Sequence, residues 1–114
     1  MIDDSGVGVC FEFASALVAR RFERAYDLLT PSAKEVWPPE SLRDAYDEMV
    51  GYFDTPPQHA LTVATMDEWP DRQSGDLKWV HVAIVGVDET EAVTVVASTY
   101  KGKQLIRSVE WGRP

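Results

Sequence analysis

The two side chains with the clearest chemical capability in this sequence are His81 and Arg107, each inside a run of alternating apolar residues. Alternation with a period of two is typical of a half-buried β-strand, whose odd-numbered residues share one face. An imidazole exchanges a proton near neutral pH, and a guanidinium donates paired hydrogen bonds to a carboxylate or carbonyl. The pair therefore predicts a site for a small ligand that bears such a group.

Small side chains around this pair predict a hollow. With three-residue loops between the strands, Ala83 pairs with Ala97, and His81 pairs with Thr99. Adjacent strands are ~4.8 Å apart, so the two alanines leave space for one small ligand between the histidine and the arginine. Two tyrosines on the inward stripes of predicted helices supply hydroxyls from above. The predicted ligand-binding residues are His81, Arg107, Thr99, Tyr26 and Tyr46.

Three interpretations of His81 remain open at this point. It is a hydrogen-bonded core histidine, with Arg107 extending to the sheet edge; or it contacts a ligand without chemistry; or it acts as a catalytic acid or base. Catalysis by a general base needs a carboxylate or a free imidazole within hydrogen-bond distance of the substrate. The available acids, Asp27, Asp47 and Glu110, fall on helix flanks or the outer sheet face. The sequence therefore disfavours catalysis and leaves the other two interpretations open, and we predict no catalytic residue.

Metal and cofactor sites are not predicted. Cys10 lies on the apolar face of the first predicted helix without a neighbouring base, which is typical of a buried small hydrophobe. His59 and His81 are separated by 22 positions and have no partner cysteine, so they do not have the spacing of zinc ligands.

The elements that position these residues change type near Pro56-Pro57. Before that point, apolar residues recur at intervals of three and four, which predicts three helices and a short turn. The helices cover about 7–20, about 22–29 and a segment after Pro38-Pro39, and the turn covers 31–36 with Thr30 as its cap.

After that point, a period of two with many β-branched residues predicts four strands. Their ranges are about 59–67, 77–87, 92–100 and 104–111. Loops with an odd number of residues would direct the odd-numbered side chains of the last three strands toward the helices. We therefore predict an α+β fold in which N-terminal helices pack on a curved four-stranded antiparallel sheet.

The other sheet face is predicted to be too apolar for exposure to water. In this register it contains Val80, Val82, Ile84, Val96 and Ile106. Large exposed apolar patches mark contact surfaces, and a second copy of the sheet is the simplest cover. We therefore expect a homodimer through the outer sheet face.

The segment Ala16–Pro31 resembles the opening of the nuclear transport factor 2-like (cystatin-like cone) superfamily. The resemblance rests on Phe22, Ala25, Tyr26, the Leu28-Leu29 pair and Thr30-Pro31, and on the order of predicted elements along the whole chain. It implies a curved sheet around the first helix, a conical pocket and frequent dimers through the outer sheet face. It implies no particular reaction, because members of this superfamily include enzymes, transport adaptors and immunity proteins.

Composition limits the remaining functional classes. The chain has 114 residues, a single cysteine and a formal net charge of −8, which suits one domain over residues 1–114. The negative charge argues against binding to nucleic acids or to anionic membrane surfaces. No apolar run approaches the ~20 residues of a membrane helix, and there is no disulfide framework, so we expect a cytoplasmic protein.

The sequence thus predicts a non-catalytic module that binds a small apolar or anionic ligand, or another protein, through a conical pocket. Two alternatives remain. One is a small isomerase, dehydratase or cyclase that uses His81 as its acid or base. The other is an immunity-type protein whose acidic helix surface, including Asp44, Asp47, Glu48 and Asp54, masks a basic partner.

Overall fold

Within the described residues, the N-terminal half of the chain forms four helices. The structure, a computed structural model, describes residues 5–112; the ends of the predicted domain, 1–4 and 113–114, lie outside the described residues. The helices are α1 (Val7–Val18), α2 (Phe22–Asp27), α3 (Pro31–Val36) and α4 (Pro39–Val50). They match the predicted segments, because the apolar spacing that defines them is local. No helix among residues 5–112 is long and apolar enough to cross a membrane.

Capping residues separate the helices where the sequence indicated. The Thr30 hydroxyl accepts a hydrogen bond from the Ala33 N–H at 3.3 Å, and Pro31 follows as the first residue of α3. Arg20 ends the α1 region with a φ of 60°, a left-handed conformation that turns the chain into α2.

The C-terminal half forms one antiparallel sheet in the order β1-β2-β3-β4. The strands are β1 (His59–Met66), β2 (Asp76–Val85), β3 (Thr90–Tyr100) and β4 (Lys103–Trp111). All four agree with the predicted strands to within about two residues at each end. The four helices contact this sheet, so the predicted α+β class is confirmed.

The predicted register between β2 and β3 is wrong. Val85 pairs with Thr90, which leaves a loop of four residues, 86–89, rather than three. The parity is therefore reversed, so that even-numbered β2 residues lie opposite odd-numbered β3 residues, as in the pair Val80 and Val95. His81 consequently pairs with Thr94 and not with Thr99.

The turn between β3 and β4 also has an even number of residues. Tyr100 pairs with Lys103, so only Lys101 and Gly102 connect the strands, with φ values of 48° and 78°. Two successive positive φ values are typical of a type I′ turn, which matches the twist of a hairpin.

A β-bulge at Arg107 then changes the register of β4. Ala97 pairs with Ile106, whereas the preceding residue of β3, Val96, pairs with Ser108. Arg107 is the extra residue between these pairs, and from there Val95 lies opposite Val109. The predicted odd-to-odd pairing therefore holds only in the second half of β4.

The hydrophobic core lies between the helices and one sheet face. Helix α1 contacts all four strands, and Phe13, Leu17, Val82 and Val95 are fully buried there. Three residues assigned to the outer face by the sequence, Val80, Val82 and Ile84, are therefore core residues, as is Ile106. The outer face instead presents Trp79, His81 and Ala83 from β2 together with Thr94 and Val96 from β3.

The chain between α2 and α3 covers the centre of the β4 edge. The Thr30 N–H donates to the Ile106 carbonyl at 2.9 Å, and the Ile106 N–H donates to the Leu28 carbonyl at 2.8 Å. These two bonds occupy backbone groups that an edge strand leaves unpaired.

Gly86→Ala tests the close approach between the β2–β3 loop and Phe53. A Cβ at Gly86 would lie 2.8 Å from a Phe53 ring carbon, so we expect this variant to lose about 1 to 3 kcal/mol of unfolding free energy in urea titrations. The control is Gly8→Ala, since a Cβ at this helical position meets nothing within 4 Å. That variant should gain about 0.5 to 1 kcal/mol. A Gly86→Ala protein as stable as the wild type would contradict the packing.

Candidate functional site

His81 lies on the outer sheet face, away from the helices. Its Nδ1 is 2.9 Å from the Thr94 hydroxyl, and its ring stacks on Trp79 with centroids 6.1 Å apart and planes 13° from parallel. The predicted orientation toward the helices is wrong, because the four-residue loop reversed the parity of β2. The immediate partners of His81 are thus a hydroxyl and an indole.

Arg107 also reaches the outer face, where it binds Asp76. Its Nε and Nη2 donate to the two carboxylate oxygens of Asp76, both at 2.7 Å. The Asp76 side chain is fully buried, and that of Arg107 is 22% exposed. This ion pair uses the paired donors that the sequence assigned to a ligand.

The sequence did not predict a buried role for Asp76, because the stretch 69–76 has the composition of an exposed loop. The carboxylate also accepts the Gln73 N–H at 2.8 Å, which fastens the connection 67–75 to the sheet. Burial by itself raises the pKa of Asp76, but hydrogen bonds from Arg107, Gln73 and Ser98 outweigh burial and hold the pKa below its usual value.

The remaining predicted site residues lie apart from this pair. Thr99 is exposed near the end of β3, and its N–H donates to the Gly75 carbonyl. Tyr26 is half-buried on α2, with the Lys34 ammonium 5.1 Å from its ring centroid. Tyr46 is buried on α4, on the helical side of the sheet.

The predicted hollow does not form, because Ala83 pairs with Ala92 and lies on the face opposite to Ala97. Ligand binding by the five residues stays a prediction.

A different cavity lies between the C-terminal ends of α1 and α4 and the segment 51–57. It has a volume of about 380 Å³, and its walls are mostly apolar. Its lining residues from the helices are Val18, Arg20, Tyr46 and Val50, and those from the segment are Phe53, Asp54, Thr55, Pro56 and Pro57. Two hydrogen bonds hold this segment in place. The Asp54 backbone N–H donates to the Glu89 carboxylate, and the Gln58 backbone N–H donates to the Val85 carbonyl.

Tyr46 provides a polar group beneath the surface of this cavity. The side chain is 1% exposed, its ring packs against Phe22, and its buried hydroxyl has no hydrogen-bond partner within the described part of the chain. Burial raises the pKa of Tyr46 to about 12, so the hydroxyl stays protonated near neutral pH. It is therefore a donor without an acceptor, which is costly in a folded protein.

Arg20 lines the same cavity, and its charge is balanced by Asp47. The guanidinium donates to both carboxylate oxygens, at 2.7 and 3.2 Å. Because the two charges oppose each other, the cavity has little net attraction for an anion.

Comparison with known proteins gives no family. No protein-family model, curated protein or solved structure matches the chain. Its function is therefore inferred from the geometry of its own residues.

Metal ligands are not grouped in the described structure. Residues 5–112 contain no cluster of three or more His, Cys, Asp or Glu side chains that could hold an ion. Cys10 is buried in the core, and burial raises its pKa to about 12, so its thiol is a poor nucleophile.

The Asp76–Arg107 pair predicts an acid-sensitive contribution to stability. The pKa of Asp76 is lower in the folded state than in the unfolded state, where it is near 3.8. The ionised carboxylate therefore stabilises the fold above that value, and the contribution is lost as pH falls through the folded pKa. We expect Asp76→Asn to lose about 3 kcal/mol at pH 7 and to show a flatter decline in unfolding free energy from pH 5 to about pH 2.

Asp47→Asn is the matched control, since its ion pair with Arg20 is exposed and should contribute at most about 1 kcal/mol. Urea unfolding at each pH measures the unfolding free energy of the variants and of the wild-type protein. If this free energy declines equally with acid in Asp76→Asn and in the wild type, Asp76 does not have this role.

Proposed function

We propose that this protein is a non-catalytic small-ligand-binding domain whose site is the cavity between α1, α4 and the segment 51–57. The observation that supports the proposal is the buried Tyr46 hydroxyl, which lacks an acceptor beside an apolar cavity. Ligand pockets typically combine apolar walls with a few polar groups that fix orientation.

The walls favour an apolar ligand body. Val18, Val50, Phe53 and Pro57 contribute apolar surface, and about 380 Å³ lies within the usual range for small-molecule pockets. Each Å² of apolar surface that leaves water supplies a hydrophobic free energy of about 25 cal/mol, from which the cost of immobilising the ligand is subtracted.

The polar end favours a neutral acceptor such as a carbonyl or an ether oxygen. Tyr46 donates one hydrogen bond, whereas the Arg20–Asp47 pair adds no net charge for a carboxylate. The acceptor must come within about 3 Å of the hydroxyl oxygen, so side chains at the cavity floor must move on binding. Of the ligand types expected from the sequence, the apolar one is favoured over the anionic one.

The proposed family is the nuclear transport factor 2-like superfamily. The order of helices and strands supports it, as does the passage of α1 across all four strands. The residues of the resemblance have structural roles that suit such a motif, since Ala25 and Leu29 are fully buried and Thr30 caps α3.

The geometry favours ligand binding over the two alternatives. As an enzyme, the protein would use His81, whose hydrogen-bond partner is a hydroxyl on the outer sheet face, far from the helical layer. As an immunity-type protein, it would use an acidic helix surface, on which Asp47 is already paired with Arg20 and Asp44 with Arg43.

Tyr46→Phe tests the proposed binding site. The probe is Prodan, a neutral naphthalene ketone whose emission reports apolar surroundings and hydrogen bonding at its carbonyl. We expect the variant to bind Prodan about 3- to 10-fold more weakly, the equivalent of one neutral hydrogen bond. Its stability should be unchanged or slightly higher, because the substitution removes an unsatisfied hydroxyl.

Tyr26→Phe is the control, since this half-buried tyrosine lies on α2 outside the cavity. Equal loss of Prodan binding in both variants, or no binding to wild-type protein, would contradict the proposed site.

The homodimer through the outer sheet face is a second proposal, supported by exposed apolar residues on β1. Leu61 and Met66 are 54% and 38% exposed and lie opposite outer-face residues of β2, and Val63, between them, is 59% exposed. We expect light scattering at low micromolar concentration to give twice 12.8 kDa for wild-type protein and 12.8 kDa for Leu61→Lys. Val36→Lys, on α3 and 63% exposed, should remain dimeric. A wild-type monomer would exclude the dimer.

A further inference from the structure

A second cavity lies on the outer sheet face, beneath the connection 67–75. Its volume is about 210 Å³, below the roughly 300 Å³ of common drug-sized pockets. Thr94 and Val96 of β3 form part of its lining, Trp79 of β2 contributes one indole, and Trp69 of the connection contributes another. Only a small ligand fits between these groups.

The charges around this cavity are unbalanced. Asp71 and Glu110 both line it, both are exposed, and neither has an ion-pair partner among residues 5–112. Arg107 is the cation of the lining, but its charge is opposed at 2.7 Å by both oxygens of Asp76. Arg72, whose guanidinium lies beside Trp69, is paired with Glu68 at 3.8 Å. The lining residues and these partners therefore have an excess of about two negative charges, which attracts a cation and repels an anion.

The indoles supply a second, independent attraction for a cation. The face of an indole ring attracts cations through its quadrupole, and tryptophan is the strongest of the aromatic residues in this respect. Trp69 has the Arg72 guanidinium 5.8 Å from its ring centroid, so this indole already takes part in one cation–π contact. Arg72 is held in place by its hydrogen bond to the Asp76 carbonyl.

We propose that this outer-face cavity binds a small organic ammonium ion, with the indoles of Trp69 and Trp79 against its alkyl groups and the carboxylates of Asp71 and Glu110 near its charge. A quaternary ammonium suits the walls best, because it is weakly hydrated and presents methyl groups to the rings. An amino-acid zwitterion is disfavoured, since the guanidinium that would hold its carboxylate is paired with Asp76. The site is separate from the Tyr46 cavity, so either proposal can fail without the other.

Calorimetric titration of the full chain with choline chloride and with its uncharged isostere 3,3-dimethyl-1-butanol tests this site. We expect saturable choline binding with a Kd on the order of 1 mM and at least tenfold weaker binding of the neutral alcohol. The double variant Asp71→Asn with Glu110→Gln should bind choline at least tenfold more weakly. Both positions are exposed, so the variant is expected to fold, and its thermal unfolding provides the check.

The matched control is Asp27→Asn with Glu35→Gln, which removes the same charge from exposed positions on or near α2 and α3. This control and Tyr46→Phe should both retain wild-type choline affinity. Three results would overturn the proposal: no saturable choline binding, equal affinity for the neutral alcohol, or equal loss of affinity in the two double variants.

Discussion

The register between β2 and β3 is the constraint on which the rest of the structure depends. Side chains alternate between faces, so one loop residue more or fewer transfers the whole set of β2 side chains to the other face. With residues 86–89 in the loop, Val80 and Val82 lie opposite Val95 and Val93 and form the core with α1. The same parity places Trp79 and His81 on the outer face, where Trp79 lines a cavity and His81 contacts the Thr94 hydroxyl.

The Asp76–Arg107 pair connects the outer surface to the sheet. The β-bulge directs the Arg107 side chain to the outer face of β4. There, its two hydrogen bonds fix Asp76 at the start of β2. Asp76 in turn holds the connection 67–75, which includes one wall of the outer cavity. The two cavities therefore depend on different contacts, one on the segment 51–57 and the other on a buried ion pair.

The sequence predicted the helices and strands closely, because their periodicity is a property of neighbouring residues. It did not predict which β2 side chains face the core, because this depends on the exact number of residues in the β2–β3 loop. The composition of that loop is compatible with three residues and with four. It placed Tyr46 correctly on the inward stripe of α4, but the cavity beside that residue also needs the position of Phe53 and Pro57. The role of Asp76 was hidden because its partner, Arg107, is 31 residues away.

The two edge strands of the sheet differ in how many of their backbone groups are left unpaired, and this affects how folded chains can associate through strand pairing. The Leu28–Thr30 segment blocks strand addition at the centre of β4, whereas β1 has no such backbone partner on its outer side among the described residues. Strand addition between folded chains is therefore less restricted at β1 than at the centre of β4.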